Sequence, residues 1–158
     1  MDADNDIPYR LAYEEAVRAL SQQQSTIESL RTRAGLLLSA AAITTSFLGA
    51  QALNAGGAQV STWLVLTSLA GLSVAVLTIL WPHQLEFSAN PANVIGSYIE
   101  TEEPMTTAEI HRDLSLHMHD SYAENLDGQK QLASRFRIAG ALLTVEVFLW
   151  IIDIATKT

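Results

Sequence analysis

The chain has 158 residues, of which 49% are hydrophobic and 16% charged, and it carries a formal net charge of −8 without any cysteine. The lack of cysteine excludes disulfides, thiolate metal sites and cysteine nucleophiles, and the acidic balance argues against a broad nucleic-acid-binding surface. Because this length would also suit one soluble domain, the arrangement of the apolar residues decides the class of the protein.

Residues 1–33 form the first predicted element, a cytoplasmic amphipathic helix that leads into the first membrane span. Apolar residues recur there at helical spacing with Glu and Gln opposite them: Leu11, Ala12, Ala16, Ala19, Leu20, Ile27 and Leu30. The start, MDADND, is acidic where a secretory signal is basic, so the first apolar run is interpreted as an uncleaved signal anchor.

Residues 34–81 are predicted to form a transmembrane hairpin. Two apolar runs without any charge, AGLLLSAAAITTSFLGAQAL and STWLVLTSLAGLSVAVLTILW, are separated by a short turn rich in Gly. A helix needs about 20 residues to cross a hydrocarbon core of about 30 Å, and each run has that length. The runs lack the alternation of barrel strands, and backbone amides in lipid must pair within their own segment, so both are predicted to be helices.

Residues 82–137 are predicted to form a cytoplasmic helical region. Pro82 marks the exit from the second span, and Asn90 followed by Pro91 is typical of the N-cap and first residue of a short helix. Thr106 and Glu109 have the spacing of a capping box, which predicts that a long helix begins there. Apolar residues repeat every four positions along it and continue towards the next span: Ile110, Leu114, Met118, Tyr122, Leu126, Leu132, Ala133 and Phe136.

Residues 138–156 contain the third predicted span, IAGALLTVEVFLWIIDIA, with Glu146 near its middle. Asp153 lies close enough to the far end that we expect water to hydrate it. The alternative is a helix that lies against the hairpin or on the bilayer surface. Basic residues flank the spans in a pattern that places the N-terminus in the cytoplasm. The predicted fold is therefore an all-α integral membrane bundle with three transmembrane helices, N-terminus inside and C-terminus outside, and cytoplasmic helical extensions.

Glu146 is the most informative polar residue, because it lies nine residues beyond Arg137, about 13 Å into the bilayer on a straight helix. A carboxylate at that depth costs at least a few kcal/mol, so it faces a bundle interior, a water-filled path or a partner. One hypothesis makes Glu146 a pore-lining or gating residue in an oligomer, with Thr44, Thr45 and Thr67. The other makes it a protonated side chain that serves assembly through hydrogen bonds to Thr44, Thr45, Thr67 or Ser68.

Other chemistry has little support in the sequence. A Gly-x-Ser-x-Gly elbow and a Gly-rich phosphate loop are both missing, so no catalytic residue and no cofactor are predicted, and the chain is not expected to be an enzyme. One segment collects metal-ligand types without the usual zinc spacing, and is interpreted as a polar helix face: His111, Asp113, His117, His119 and Asp120.

Two stretches carry a resemblance to a known group of proteins: LRTRAGLLLSAAAITTSFLGAQAL and LSLHMHDSYAENLDGQKQLASRFRIAGALLTVEVFLWIIDIA. Together with the hairpin between them they resemble, in layout, small bacterial multi-span effectors of anti-phage defence, namely the SLATT, Pycsar-type and Hailong-type transmembrane effectors. The resemblance implies a homo-oligomer in the bacterial plasma membrane that collapses the membrane barrier when a partner enzyme supplies a nucleotide or oligonucleotide signal. It also implies phosphate contacts on the cytoplasmic side, for which the candidates are Arg112, Lys130, Arg135 and Arg137.

Two other functions are possible from the sequence. The first is a non-conducting membrane anchor that recruits a cytoplasmic partner protein through the apolar stripe from Ile110 to Phe136. The second is a small transporter, against which the lack of inverted repeats and of several intramembrane charges counts.

Overall fold

A computed structural model of the protein describes residues 3–54, 60–82, 91–100 and 105–156. These ranges contain four α-helices, α1 (Ala3–Asn54), α2 (Val60–Leu80), α3 (Pro91–Val94) and α4 (Thr107–Ala155), and a π-helical turn (Ile95–Ile99) after α3. Strands are not found anywhere in the described ranges, which confirms the all-α prediction. The helices α1, α2 and α4 are long and apolar enough to cross a membrane, as expected of a multi-pass membrane protein.

The predicted starts of α3 and α4 are confirmed. Pro91 is the first residue of α3, where its missing N–H costs no helical hydrogen bond, while the predicted N-cap, Asn90, lies outside the described residues. At α4, the Thr106 backbone N–H donates to Glu109 Oε2 at 2.9 Å, and the Glu109 N–H donates to Thr106 Oγ1 at 3.4 Å. These two reciprocal bonds form the capping box.

The chain divides into two compact units that both draw on α1 and α4. Unit 1 comprises Met1–Ile27 and His83–Lys130, and unit 2 comprises Glu28–Pro82 and Gln131–Thr158. The predicted boundaries between cytoplasmic and membrane segments, at 33/34, 81/82 and 137/138, stay predictions. Helices α1 and α4 are continuous across 33/34 and 137/138, so no helix end marks a boundary there.

Unit 1 brings the beginning of α1 alongside the beginning of α4, with both segments running in the same direction. Near their N-terminal ends, Asp6 Oδ1 lies 2.8 Å from His111 Nδ1, and the ring of Tyr13 stacks on that of His111 at 5.4 Å. Further along, the side chain of Gln23 donates to the carbonyl oxygen of Tyr122. In the same unit the Tyr98 hydroxyl donates to Asp113 Oδ2 at 2.5 Å.

Unit 2 contains segments of α1, α2 and α4 packed side by side. The Thr45 hydroxyl donates to Glu146, and one helical turn later Gly49 lies against Trp150, so α1 and α4 run in the same direction. Ser68 Oγ donates to the Leu142 carbonyl oxygen, and Arg135 Nη1 donates to the Thr78 carbonyl oxygen, both at 3.3 Å. Since α2 numbering rises as α4 numbering falls, α2 runs antiparallel to both.

Buried positions recur every seven residues on each helix of unit 2. They are Ala34 and Ala41 on α1, Val65, Leu72 and Ile79 on α2, and Leu132, Ala139, Glu146 and Asp153 on α4, and each has no exposed surface. A seven-residue repeat keeps one seam of each helix facing its neighbours, as in left-handed helical bundles. Two acidic residues therefore occupy core positions of the repeat.

The outer surface of unit 2 is also apolar. Large exposed hydrophobic residues occur on all three helices: Leu36, Ile43 and Phe47 on α1, Trp63, Leu64, Val74, Leu77 and Trp81 on α2, and Ile138, Phe148, Ile151 and Ile152 on α4. Soluble monomers rarely expose contiguous apolar patches of this extent. A helix that is hydrophobic on all sides is typical of a membrane span.

Candidate functional site

The candidate site is centred on Glu146, whose side chain is 0% exposed in unit 2. It belongs to the buried seven-residue row of α4, between Ala139 and Asp153. Helical spacing alone brings it to this seam, because residues seven apart lie on nearly the same side of a helix. An acidic side chain has thus replaced the aliphatic one that such a core position normally holds.

Of the four hydroxyl side chains proposed as hydrogen-bond partners of Glu146, one is in direct contact with it. The Thr45 hydroxyl, from α1, donates a hydrogen bond to Glu146 Oε1. The second carboxyl oxygen, Oε2, is buried and has no hydrogen-bond partner. The carboxyl group is therefore only half satisfied inside an apolar bundle.

The other two predicted threonines are placed differently. Thr67 is exposed, and its hydroxyl donates to the Trp63 carbonyl oxygen of its own helix at 2.8 Å. Thr44 is half-buried next to Thr45, which is the residue that supplies the bond to Glu146. Ser68, which the assembly hypothesis also named, donates to the Leu142 carbonyl oxygen instead. The pairing thus combines Glu146 with Thr45.

Trp150 lies one turn beyond Glu146 on α4 and is part of the same core. It is 2% exposed, and it packs with Val65 against partly buried neighbours: Leu48, Leu149 and Ile154. Its Nε1 is buried without a hydrogen-bond partner. The sequence did not identify this packing, because a Trp near the end of an apolar run is as typical of an exposed interfacial position. Trp63 and Trp81, at the two ends of α2, are 66% and 71% exposed.

The expectation that water hydrates Asp153 is wrong. Asp153 is 0% exposed, at the next core position of the seven-residue row after Glu146. Asp153 is close to the end of the apolar run, and this position along the helix suggested contact with water. Its burial is decided instead by the side of the helix on which it lies. A repeat count from Leu132 would have predicted this burial.

The four basic residues proposed for phosphate contact are distributed along α4. Arg112 and Lys130 are exposed, and they lie 18 residues apart on α4, about 27 Å along the helix. Lys130 pairs with Asp127 at 3.2 Å. Arg135 is half-buried and donates to the Thr78 carbonyl oxygen, whereas Arg137, two residues on, is exposed on another side of the helix.

The polar face that includes His111 is engaged within unit 1. His111 lies against Asp6 and Tyr13, and Asp113 accepts the hydrogen bond from Tyr98. His117 and His119 are exposed. In the described part of the chain, no three His, Asp or Glu side chains are grouped so as to hold a metal ion.

Comparison of the chain with protein-family models, with curated proteins and with solved structures found no match. The resemblance to anti-phage membrane effectors therefore stays a hypothesis based on the layout of spans and helices. The chemistry of the site around Glu146 and the surfaces of the two units are the observations that bear on function.

Proposed function

We propose that the chain is a homo-oligomeric effector of the bacterial plasma membrane that forms an ion-conducting or membrane-disrupting assembly on a cytoplasmic signal. It crosses the bilayer three times, with the N-terminus in the cytoplasm and the C-terminus outside. The observation that carries the proposal is the buried, half-satisfied carboxyl group of Glu146 in the core of unit 2.

The energetics of this carboxyl group favour a bundle that can rearrange. An unsatisfied buried polar atom costs about 1–3 kcal/mol relative to a paired one. An aliphatic side chain at position 146 would avoid that cost, so the closed bundle is less stable than its fold allows. A rearranged bundle that exposed Glu146 to water would regain the missing hydrogen bonds, which favours the kind of two-state element that gates need.

The surface of unit 2 supports assembly within a membrane. Its exposed apolar residues, such as Phe47 and Phe148, suit contact with lipid tails or with a second copy of the chain. Small residues permit close helix approach, and Gly140 has no atom within 4 Å of the position that a side chain would take. A helix of a neighbouring subunit could therefore approach α4 there.

The signal is proposed to be a nucleotide or oligonucleotide made by a partner enzyme, or a protein partner. Of the four proposed phosphate contacts, Arg135 and Arg137 have the more favourable surroundings. They lie in unit 2, where basic residues outnumber acidic ones, whereas Arg112 and Lys130 lie in unit 1 with fourteen acidic and four basic residues. Phosphates are repelled by such an acidic unit.

The alternative, a non-conducting anchor, needs the stripe from Ile110 to Phe136 to be free for a partner. Within unit 1, Leu114 and Met118 of this stripe are buried, and Ile110, Tyr122 and Leu126 are half-buried. Most of the stripe is therefore used for packing within the unit. This observation favours the effector over the anchor.

The test is ion flux from liposomes reconstituted at increasing protein-to-lipid ratio, which promotes assembly. Glu146→Leu removes the unsatisfied carboxyl group, so we expect the closed bundle to be stabilised and flux to fall. Thr45→Val leaves both carboxyl oxygens unpaired, so we expect flux to rise. Thr44→Val is the matched control, because the neighbouring threonine does not supply the bond to Glu146.

Flux that responds to Thr44→Val as strongly as to Thr45→Val would remove the role of the Glu146 pair. Vesicles that stay sealed at every protein-to-lipid ratio, together with stable capture of a cytoplasmic protein, would favour the anchor instead.

A further inference from the structure

Basic side chains are concentrated at one end of unit 2. Thr45 bonds Glu146 and Gly49 lies against Trp150, so α1 and α4 keep an offset of 101 residues over this turn. Carried back along the two parallel helices, the same offset brings four arginines within about 8 Å of one another along the axis of the unit. They are Arg31 and Arg33 on α1 and Arg135 and Arg137 on α4, and every basic residue in the described part of unit 2 is among them. We call this the arginine end of unit 2.

Acidic side chains balance only a small part of this charge. Unit 2 contains three acidic residues, of which Glu146 and Asp153 are buried in the core, so Glu28 is the exposed one. Within the described residues, the side chains of Arg33 and Arg137 form no ion pair and no hydrogen bond. Both are exposed, and a guanidinium group matches the oxygens of a phosphate. The arginine end therefore suits a phosphate-bearing anion.

Each of these two exposed arginines is followed by an exposed apolar row on its own helix. A row stays within about 80° of the helix surface and runs for about 21 Å, which is more than half of a hydrocarbon core of about 30 Å. The apolar members are 49–71% exposed. The rows are Arg33, Leu36, Ile43 and Phe47 on α1, and Arg137, Val145, Phe148 and Ile152 on α4.

A cationic group followed by an apolar row matches an amphiphile with an anionic head. A free phosphate or a nucleotide would use the arginines and leave the apolar rows without a role. An anionic phospholipid uses both, because its phosphate pairs with the guanidinium group and its acyl chains cover the apolar side chains. The two parts of the surface together therefore favour a lipid over a soluble anion.

Exposed tryptophans mark the two ends of α2. Arg135 Nη1 donates to the Thr78 carbonyl oxygen, and Trp81 follows three residues later, so Trp81 belongs to the arginine end. Trp63 lies at the opposite end of the same helix. Because both rings are exposed and Trp150 is buried, Trp81 and Trp63 can report separately on the lipids around each end.

We propose that the arginine end of unit 2 binds anionic phospholipids, with the head-group phosphate on Arg33 or Arg137 and an acyl chain along the apolar row that follows. The proposal rests on the membrane insertion of unit 2 proposed above, and it requires neither ion conduction nor a signal. An arginine near a membrane surface strengthens the binding of anionic lipid by about fivefold.

The test is quenching of tryptophan fluorescence by brominated lipids in vesicles that contain the full-length chain. Brominated phosphatidylglycerol and brominated phosphatidylcholine carry the same acyl chains, and competition with unbrominated lipid gives their relative affinities. Trp63→Phe leaves Trp81 as the exposed reporter, and Trp81→Phe leaves Trp63. We expect phosphatidylglycerol to be preferred by about fivefold or more at Trp81, and by less than about twofold at Trp63.

Three variants connect the preference to the arginines. Joint substitution Arg33→Gln and Arg137→Gln removes the exposed charges and should abolish the preference at Trp81. Joint substitution Arg33→Lys and Arg137→Lys keeps the charges and should retain most of it. Arg112→Gln changes an exposed arginine outside unit 2 and is the matched control, which should leave the preference unchanged. Flotation of each variant with alkali-washed vesicles verifies insertion.

Equal quenching by the two lipids at Trp81, in a chain that floats with the vesicles, would overturn this proposal and leave the proposed membrane effector standing. A chain that alkali washes off the vesicles would overturn both. A preference that persists in the Arg33→Gln and Arg137→Gln variant, or that is as strong at Trp63, would also overturn the lipid site. Loss of the preference on addition of millimolar ATP at constant ionic strength would assign the arginines to a soluble phosphate instead.

Discussion

At the scale of single residues, the core of unit 2 combines one polar pair with one close contact. Glu146 accepts from Thr45, and one turn further along the same two helices Gly49 lies against Trp150. A Cβ on Gly49 would lie 3.2 Å from Trp150 Cη2 and 3.3 Å from Cζ2. The absence of a side chain at position 49 is therefore what lets the Trp150 ring fit between the helices.

The close contact predicts opposite effects for two glycine substitutions. Gly49→Ala places a methyl group against a buried ring that cannot move freely, so we expect the free energy of unfolding to fall by about 1–3 kcal/mol. Gly140→Ala meets no atom within 4 Å in its own chain and improves helix propensity, so stability should rise by about 0.5–1 kcal/mol. Helix loss on titration with denaturing detergent measures both. Equal stabilities of the two variants would contradict the contact.

The sequence predicted part of this site. Glu146 was identified as a candidate because it is an acidic residue within an apolar run. The hydroxyl residues of the two hairpin spans gave a short list of candidate hydrogen-bond partners, and this list includes Thr45. Which threonine makes the bond depends on the axial register of α1 against α4, which no residue pattern encodes directly. The fit of Gly49 to Trp150 depends on the same register, and for that reason the sequence did not predict it.

At the scale of helices, the repeat that buries α4 differs from the predicted one. Residues four apart advance by about 40° around a helix, so a row at that spacing leaves its original side after a few steps. The structure buries Met118, Asn125, Leu132 and Ala139, which are seven apart, and leaves Tyr122 and Leu126 half-buried. The helix itself was predictable from its apolar residues, whereas its buried side required the longer repeat.

The start of α4 predicts a pH dependence. The Thr106 backbone N–H, followed by its hydroxyl, bonds the Glu109 carboxylate and holds the pKa of Glu109 below its usual value. Because the folded helix favours the ionised form, the capping box stabilises α4 above the ordinary pKa of a glutamate, about 4.3, and this contribution is lost as pH falls through the lowered pKa.

The measurement is the carboxyl carbon shift of Glu109, followed by NMR as pH is lowered. Thr106→Ala removes the hydroxyl and should move the pKa of Glu109 back towards its ordinary value. Thr107→Ala changes the next, exposed threonine and serves as the control. An unchanged pKa of Glu109 in Thr106→Ala would assign the whole shift to the backbone bond.

At the scale of the whole molecule, charge and apolar surface are distributed unequally between the two units. Unit 1 holds fourteen of the seventeen acidic residues, and unit 2 holds most of the exposed large apolar side chains on helices that are long enough to cross a bilayer. Composition and run length indicated where along the sequence the charged residues and the apolar residues are concentrated. The proposed third crossing, and with it the side on which the C-terminus lies, depends on α4, which carries Glu146 and Asp153.

The proposed topology has three membrane crossings, which together place Glu146 inside the bilayer. The most direct test is labelling of single cysteines with a membrane-impermeant maleimide in intact spheroplasts, since the chain has no cysteine of its own. We predict that Gly57→Cys and Thr156→Cys are labelled from outside, whereas Arg10→Cys and Arg112→Cys are labelled only after lysis. Labelling of Thr156→Cys only after lysis would show that α4 does not cross, and would contradict the account.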